Sequence, residues 1–291
     1  MSDFARLAAA APWFFPLAAF LVGACVGSFL NVVIARLPAG ESIVTPGSHC
    51  DCGAPIAWHD NIPLVSWFVL RGRARCCGRL FSIRYWFVEA LTAGLFLACW
   101  LLLPPARAVC GWVFLSGLIA ATFIDLEHLV IPDVLTLGLG LAGLALSCAV
   151  PALQQGASSG LFALDSVRAG TAAAEGLCVG SGLVLWTAVL GTAALKKEAM
   201  GLGDALLVGG IGAFCGWKGA IFALFGGAGV GVIWFALAFC LRPLRQAPPG
   251  KPFGFGLRVP FGPMLAIAGA LYFLVLRHPV DAWFERLAPL F

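Results

Sequence analysis

Two short stretches of this 291-residue chain hold acids where acids are costly. The first, AATFIDLEHLVIPDVLTLGLG, runs from Ala120 to Gly140. It sets Asp125, Glu127, His128 and Asp133 between two long apolar segments. The second, KKEAMGLGDALLVGG, sets Asp204 after Gly201 and Gly203 at the mouth of another apolar segment. A carboxyl group at membrane depth costs about 2.5–3.5 kcal/mol and faces a bundle interior or a water-filled cavity. Two such acids in one cavity would hold a single proton between them. The ionised member can then take a proton from water while the acid member polarises a carbonyl. That is chemistry for cutting an amide bond, and it needs neither a metal nor a Ser or Cys nucleophile. The same acids would also serve a proton-coupled transporter.

A third cluster is sulfur. HCDCG at 49–53 and RARCCG at 73–78 bring Cys50, Cys52, Cys76 and Cys77 into one polar insertion. Four thiolates suit a structural Zn²⁺, although neither pair has the usual two-residue gap, and His49 is an alternative ligand. The plain alternative is a loop of reduced cysteines, since a cytoplasmic compartment disfavours disulfides. The other seven cysteines lie in or beside apolar spans and read as small hydrophobes.

The elements that must position these groups are membrane helices. The chain is 61% hydrophobic and 11% charged, with a mean hydropathy of +0.96. Continuously apolar runs of about 17–25 residues recur, each long enough to cross a bilayer. They are not alternating, which excludes a barrel. The expected fold is therefore an all-α polytopic membrane protein with about eight transmembrane helices, near 12–34, 86–103, 108–124, 132–150, 172–195, 204–217, 219–241 and 261–277. The first run is too long for a signal-peptide core and reads as a retained helix. The division expected is a first helix over 1–35, a Cys-containing loop domain over 36–85 and a transmembrane core over 86–291. Residues 151–171 read as an outer loop and 242–260 as a basic inner one. The many glycines suit close helix packing in lipid.

Orientation follows from Lys and Arg. Twelve of the eighteen fall on the side that holds the 36–85 insertion and the 242–260 loop, which makes that side cytoplasmic and turns both termini outward. The net charge of +4 is that of an inside-positive membrane protein and calls for no nucleic-acid partner. Within this frame Asp133, just after Pro132, has an ordinary role at a helix start. Asp125 has none, because it closes a helix at the end where the dipole disfavours an anion.

Five blocks decide among these readings: GACVGSFLNVVIARLP at 23–38, NIPLVSWFVLRGRARCCGRLFSIRYWFVEALTA at 61–93, FIDLEHLVIPDVLTL at 123–137, MGLGDALLVGGIGAFCGW at 200–217 and VPFGPMLAIAGALYF at 259–273. In this order they resemble the type IV prepilin peptidases, bifunctional leader peptidase/N-methyltransferases of the Gly-x-Gly-Asp class. The resemblance implies that Asp125 and Asp204 are the catalytic pair, with Gly201, Gly203, Pro132 and Asp133 supporting the motifs. It implies prepilins and pseudopilins as substrates, cut after a short basic leader on the cytoplasmic side of the bacterial inner membrane. It further implies S-adenosylmethionine as donor for methylation of the new N-terminus, a step that nothing in composition or spacing marks. Glu89, near Arg84 and Tyr85, is the candidate acid for that second activity, or simply an acid near a helix start.

The chain departs from the family's pattern in two places. The family's loop often carries two Cys-x-x-Cys pairs, here shortened and displaced. Many relatives have Lys two residues after the second aspartate, where this chain has Leu206; Lys196 and Lys197 are the nearest candidates to supply that charge. Other classes stay open at this point: a non-catalytic assembly factor, the transporter, and a preflagellin-type peptidase that cuts without methylating.

Overall fold

The computed structural model describes residues 10–50, 52–154, 158–196, 200–241 and 260–287. The basic 242–259 stretch, Lys197, Gln155 and Gly156 lie outside the described residues. Among the described residues the regular structure is helical, with two isolated β-bridges in the 36–85 insertion. Among the described residues six helices are long and apolar enough to cross a membrane, and a shorter apolar one spans Asp133–Ala149. The expected number of about eight is met approximately, because the two spans near 204–217 and 219–241 form one long helix with a break inside it.

The chain divides into two compact units, Met1–Ala120 and Ala121–Phe291. In the first, helix α1 (Phe14–Arg36) packs along α3 (Arg84–Leu102). Gly23 and Gly27 of α1 set their approach. A Cβ on Gly27 would stand 2.7 Å from the Cα of Glu89, and one on Gly23 would stand 2.8 Å from the Cα of Ala93. Small residues four apart are the standard means of bringing two helix backbones together in lipid. The start of α4 (Pro105–His128) joins this unit through Trp112, whose ring stacks on Phe96 at 5.1 Å and whose indole N–H donates to the Phe96 carbonyl.

Among the described residues, the helical pieces of the insertion between α1 and α3 are a 3₁₀ turn (Trp58–Asn61) and the short α2 (Val65–Val69). Polar contacts hold it. The Arg36 guanidinium gathers the carbonyls of Ser42, Pro46 and Gly47 at 2.8–3.2 Å. Asp60 accepts two parallel bonds from Arg75, at 2.9 and 2.8 Å.

The second unit holds the end of α4, then α5 (Asp133–Ala149), α6 (Phe162–Leu195), α7 (Leu202–Leu241), α8 (Gly262–Leu271), a π-helical turn (Tyr272–Leu276) and α9 (Arg277–Leu287). Helix α6 starts ten residues before the expected 172. The reason is a capping network: the Ser158 hydroxyl and both the N–H and hydroxyl of Ser159 donate to the Asp165 carboxylate in the first turn. An acid there satisfies free amide groups and suits the dipole. In α7 the break falls at Gly216, whose φ of 73° and ψ of 176° leave the helical region. Such a conformation suits glycine because it has no Cβ. The Ala213 carbonyl, in the turn before the break, accepts from the Gln154 amide at 2.9 Å and from the Ser147 hydroxyl at 3.3 Å. Buried backbone groups need such partners wherever a helix ladder is interrupted.

Candidate active site and cysteine cluster

Asp125 lies in the last turn of α4, with Leu129 ending the helix in a left-handed conformation at φ 55°. Its neighbours Glu127, His128 and Asp133 are exposed, whereas Asp125 is only 5% exposed. The carboxylate sits at the unfavourable end of its own helix, and the structure supplies a compensation. Its Oδ2 accepts the Gly262 N–H at 2.9 Å. Gly262 opens α8, so this N–H is one of the unpaired donors at a helix N-terminus, where the dipole favours an anion. The anion is thus held by a helix start distant in sequence.

Asp204 lies half-buried in the first turn of α7. The Gly201 N–H donates to its carboxylate, and the charge of Asp125 is close enough to act on it. The two acids singled out by sequence thus lie within electrostatic reach of each other, one at the end of α4 and one at the start of α7. Between them the polypeptide is tightly fitted. A Cβ on Gly203 would stand 3.1 Å from the Ile131 Cβ and carbonyl oxygen, and one on Gly262 would stand 2.7 Å from Asp125 Oδ2 and 3.0 Å from Ile131 Cδ1. Ile131 is 6% exposed. It acts as a wedge between the Gly-x-Gly-Asp turn and the start of α8, and Pro132 behind it caps α5. Asp133 is the first residue of α5 and projects to the exterior. Ile131 and Gly262 both lie inside the five motif blocks, but an isoleucine and a glycine carry no side-chain chemistry that marks a role. Leu206 is half-buried on α7, and Lys196 is exposed, ending α6 in a left-handed cap.

The cysteines form a separate cluster in the first unit. Cys50 Sγ lies 3.7 Å from Cys77 Sγ, and Cys52 Sγ lies 3.4 Å from Cys76 Sγ. All four sulfurs lie within 4.8 Å of one another, and none is in a disulfide. A tetrahedral zinc with Zn–S bonds of about 2.3 Å requires sulfurs about 3.8 Å apart. The set therefore fits that ion despite the short sequence spacing, because the pairs close across two loops rather than within each. The Ala54 backbone N–H, with help from the Cys76 thiol, lowers the Cys52 thiol to about 7. The same contact with Cys52 pushes Cys76 up to about 12. His49 turns instead toward the Gly47 carbonyl.

Glu89, in the second turn of α3, is half-buried, and its Oε2 accepts the Leu64 N–H at 2.7 Å. It therefore ties α2's first turn to α3.

With this geometry in view, comparisons with known proteins are informative. Residues 21–103 match the model of the bacterial peptidase A24 N-terminal domain, and residues 112–236 match that of the type IV leader peptidase family. A prepilin leader peptidase/N-methyltransferase of Myxococcus xanthus is 38% identical over 81% of this chain and 68% of its own length. Proteins of the same name from Pectobacterium carotovorum and Aeromonas hydrophila are 35% and 34% identical, over 92% and 91% of this chain and 95% and 92% of theirs. No solved structure matches. The matches cover both units and agree with the resemblance drawn from the five sequence blocks, so the chain belongs to the type IV leader peptidase family and is an enzyme of it.

Proposed function

We propose that the protein is a membrane aspartyl endopeptidase that removes the basic leader of type IV prepilins and pseudopilins. The observation that supports the reading is that Asp125, anchored on the Gly262 N–H, lies within electrostatic reach of Asp204 at the start of α7. In the reaction the ionised carboxylate takes a proton from water as its oxygen attacks the scissile carbonyl carbon. The protonated carboxyl gives its proton to the carbonyl oxygen, forming a neutral gem-diol. Collapse re-forms the C=O bond, breaks the C–N bond and delivers a proton to the departing amine, and the pair again shares one proton. The dyad supplies both acid and base, so proteolysis needs no cofactor.

The names of the relatives support a second step in this chain, methylation of the new N-terminal amine with S-adenosylmethionine as donor. In it an N–CH₃ bond forms as the S–CH₃ bond breaks, and the amine nitrogen loses a proton. Zinc on Cys50, Cys52, Cys76 and Cys77 would close the two loops of the insertion and do no chemistry on the substrate. The apolar helices and the relatives support residence in the bacterial inner membrane, and the arginine distribution supports a dyad opening toward the cytoplasm.

The test is cleavage of a detergent-solubilised prepilin, followed by mass spectrometry of the product. With S-adenosylmethionine added, wild type should yield a mature chain one methyl group heavier than the plain cleavage product. Asp125→Asn and Asp204→Asn should yield none. Cleavage surviving in either variant would remove that residue from the mechanism. Absence of cleavage by folded wild type across several prepilins would favour an assembly role instead.

A further inference from the structure

Helix α2, VSWFV at 65–69, has two unlike faces. Ser66 and Trp67, with Leu70 just beyond, line a cavity enclosed by α1, α3 and the insertion. Val65, Phe68 and Val69 take no part in that lining and are 50%, 59% and 66% exposed. Their spacing of three and four residues puts them on one side of the helix. Ile83 and Phe87, at the start of α3 and also four apart, are exposed too. One exposed apolar side chain needs no explanation, but a group of them at one level of the unit does.

The level is fixed by α3. It spans 19 residues, Arg84–Leu102, and is one of the helices apolar enough to cross a membrane. At 1.5 Å per residue it is about 28 Å long, against a hydrocarbon core of about 30 Å. Its far end offers no extension, because Leu103 is extended and Pro105 opens α4. A crossing α3 therefore has no turn to spare, and its first residues lie at the hydrocarbon boundary. Helix α2 is pinned to those same residues at both ends. The Leu64 N–H, just before α2, donates to Glu89 Oε2 at 2.7 Å, and the Phe68 ring meets the Trp86 ring edge-on at 5.6 Å. Helix α2 thus shares the depth of the first two turns of α3, although it belongs to the polar insertion.

The charges agree with that depth. Arg71 and Arg73 follow α2 and are exposed, and the positive φ of Arg71 and Gly72 turns the chain back at that point. On α3 the Arg84 guanidinium lies 5.1 Å from the centre of the Tyr85 ring. Glu89, the acid at this level, is half-buried and already takes the Leu64 N–H and the Ser28 hydroxyl. An apolar face edged by arginines and aromatic rings is the make-up of an element lying in a membrane interface. We infer that α2 is an interfacial membrane anchor on the insertion's side of the bilayer. Val65, Phe68 and Val69 lie among the acyl chains, and Arg71 and Arg73 lie among the lipid phosphates. The insertion is then held down on the bilayer, and α2 separates lipid on one face from the cavity on the other.

The test uses the full-length protein in vesicles of phosphatidylcholine and phosphatidylglycerol, doped with a phosphatidylcholine that carries a diazirine in one acyl chain. After irradiation, mass spectrometry should place lipid adducts on 65–69 as well as on 83–87, and not on 73–79. Adducts on 83–87 with none on 65–69 would overturn the inference and hand the face to a protein, which sedimentation in detergent would identify where it is a second copy. Absence of adducts from both places would remove the depth set by α3, and the anchor with it. Val65→Glu combined with Phe68→Glu should lower the adducts on 65–69 by about tenfold or more. Adducts retained on 83–87 would show that this variant is still inserted. Equal labelling of 65–69 in the inserted variant and in wild type would mean that the bond to Glu89 alone carries α2 to this depth, and α2 would be no anchor.

Discussion

The Gly262 N–H donates to Asp125 Oδ2 at 2.9 Å, and a methyl group on Gly262 would stand 2.7 Å from that same oxygen. One glycine thus both holds the carboxylate and keeps the space it occupies. The carboxylate closes a helix whose dipole repels it and is received by a helix whose dipole attracts it. Its position is consequently set by backbone, which has far fewer conformers than a side chain.

Gly262→Ala should therefore impair cleavage severely without unfolding the protein. The added methyl must push Asp125 Oδ2 or Ile131 Cδ1 aside. A displacement of about 1 Å in a reacting group costs on the order of 10²-fold in rate. The loss should appear in kcat with KM little changed, since the substituted atom touches the carboxylate rather than the substrate. A fall confined to KM would mean that Gly262 contacts the peptide instead.

Asp125→Asn and Asp204→Asn should each lower cleavage by about 10³-fold or more, because neither partner can act as acid and base alone. Asp133→Asn should stay within a few-fold of wild type. Asp133 is exposed at the start of α5, and an acid in that place typically contributes about 0.3–1 kcal/mol to a helix. The three variants measured side by side on one prepilin separate catalysis from helix capping. A strong loss in Asp133→Asn would show that the third acid of the segment takes part.

Much of this site was legible in the sequence because charge in an apolar chain is conspicuous. Asp125 stands out at a helix C-terminus and Asp204 behind its two glycines, the family resemblance joins them as a pair, and the apolar runs mark the helices that carry them. What remained hidden had no side-chain signal. Gly262 acts through its backbone on a residue 137 positions away, and Ile131 is one apolar residue among many. The early start of α6 was masked by a polar segment, whose Ser158 and Ser159 fold back onto Asp165 instead of forming an open loop. The cysteine spacing misled for a related reason: the short gaps argue against a chelate within each pair, while the sulfurs pair across the loops, Cys50 with Cys77 and Cys52 with Cys76.

The pairing of Asp60 with Arg75 gives the insertion a pH dependence. Hydrogen bonds from the Arg75 guanidinium hold the Asp60 carboxyl below the usual carboxylate range. A depressed acid contributes stability above its unfolded value, about 3.9, and loses it as pH falls through the lower folded value. The unfolding midpoint of wild type should therefore exceed that of Arg75→Gln by a constant margin above about pH 4. The margin should vanish at lower pH and shrink in high salt, because the Arg75 side chain of the pair is exposed. A margin that persists in acid would assign the effect of Arg75 to packing.

Elemental analysis of protein purified without chelator should find one zinc per chain. Its ligands would be four sulfurs that already lie within 4.8 Å of one another, a spread a tetrahedral Cys₄ site accommodates. Cys50→Ser with Cys52→Ser should abolish retention of the metal, because each removed thiolate comes from a different cross-loop pair. The same double variant should expose 49–54 and 73–79 to proteases, since the insertion has little buried apolar surface and depends on polar contacts such as those of Arg36 and Asp60. Prepilin cleavage should survive in this variant, because Asp125 and Asp204 belong to the second unit and the cysteines to the first. Wild-type protein devoid of zinc, with an ordered insertion, would assign the closing of these loops to hydrogen bonds among the thiols. Loss of cleavage in the double variant would mean that the insertion serves peptide binding as well.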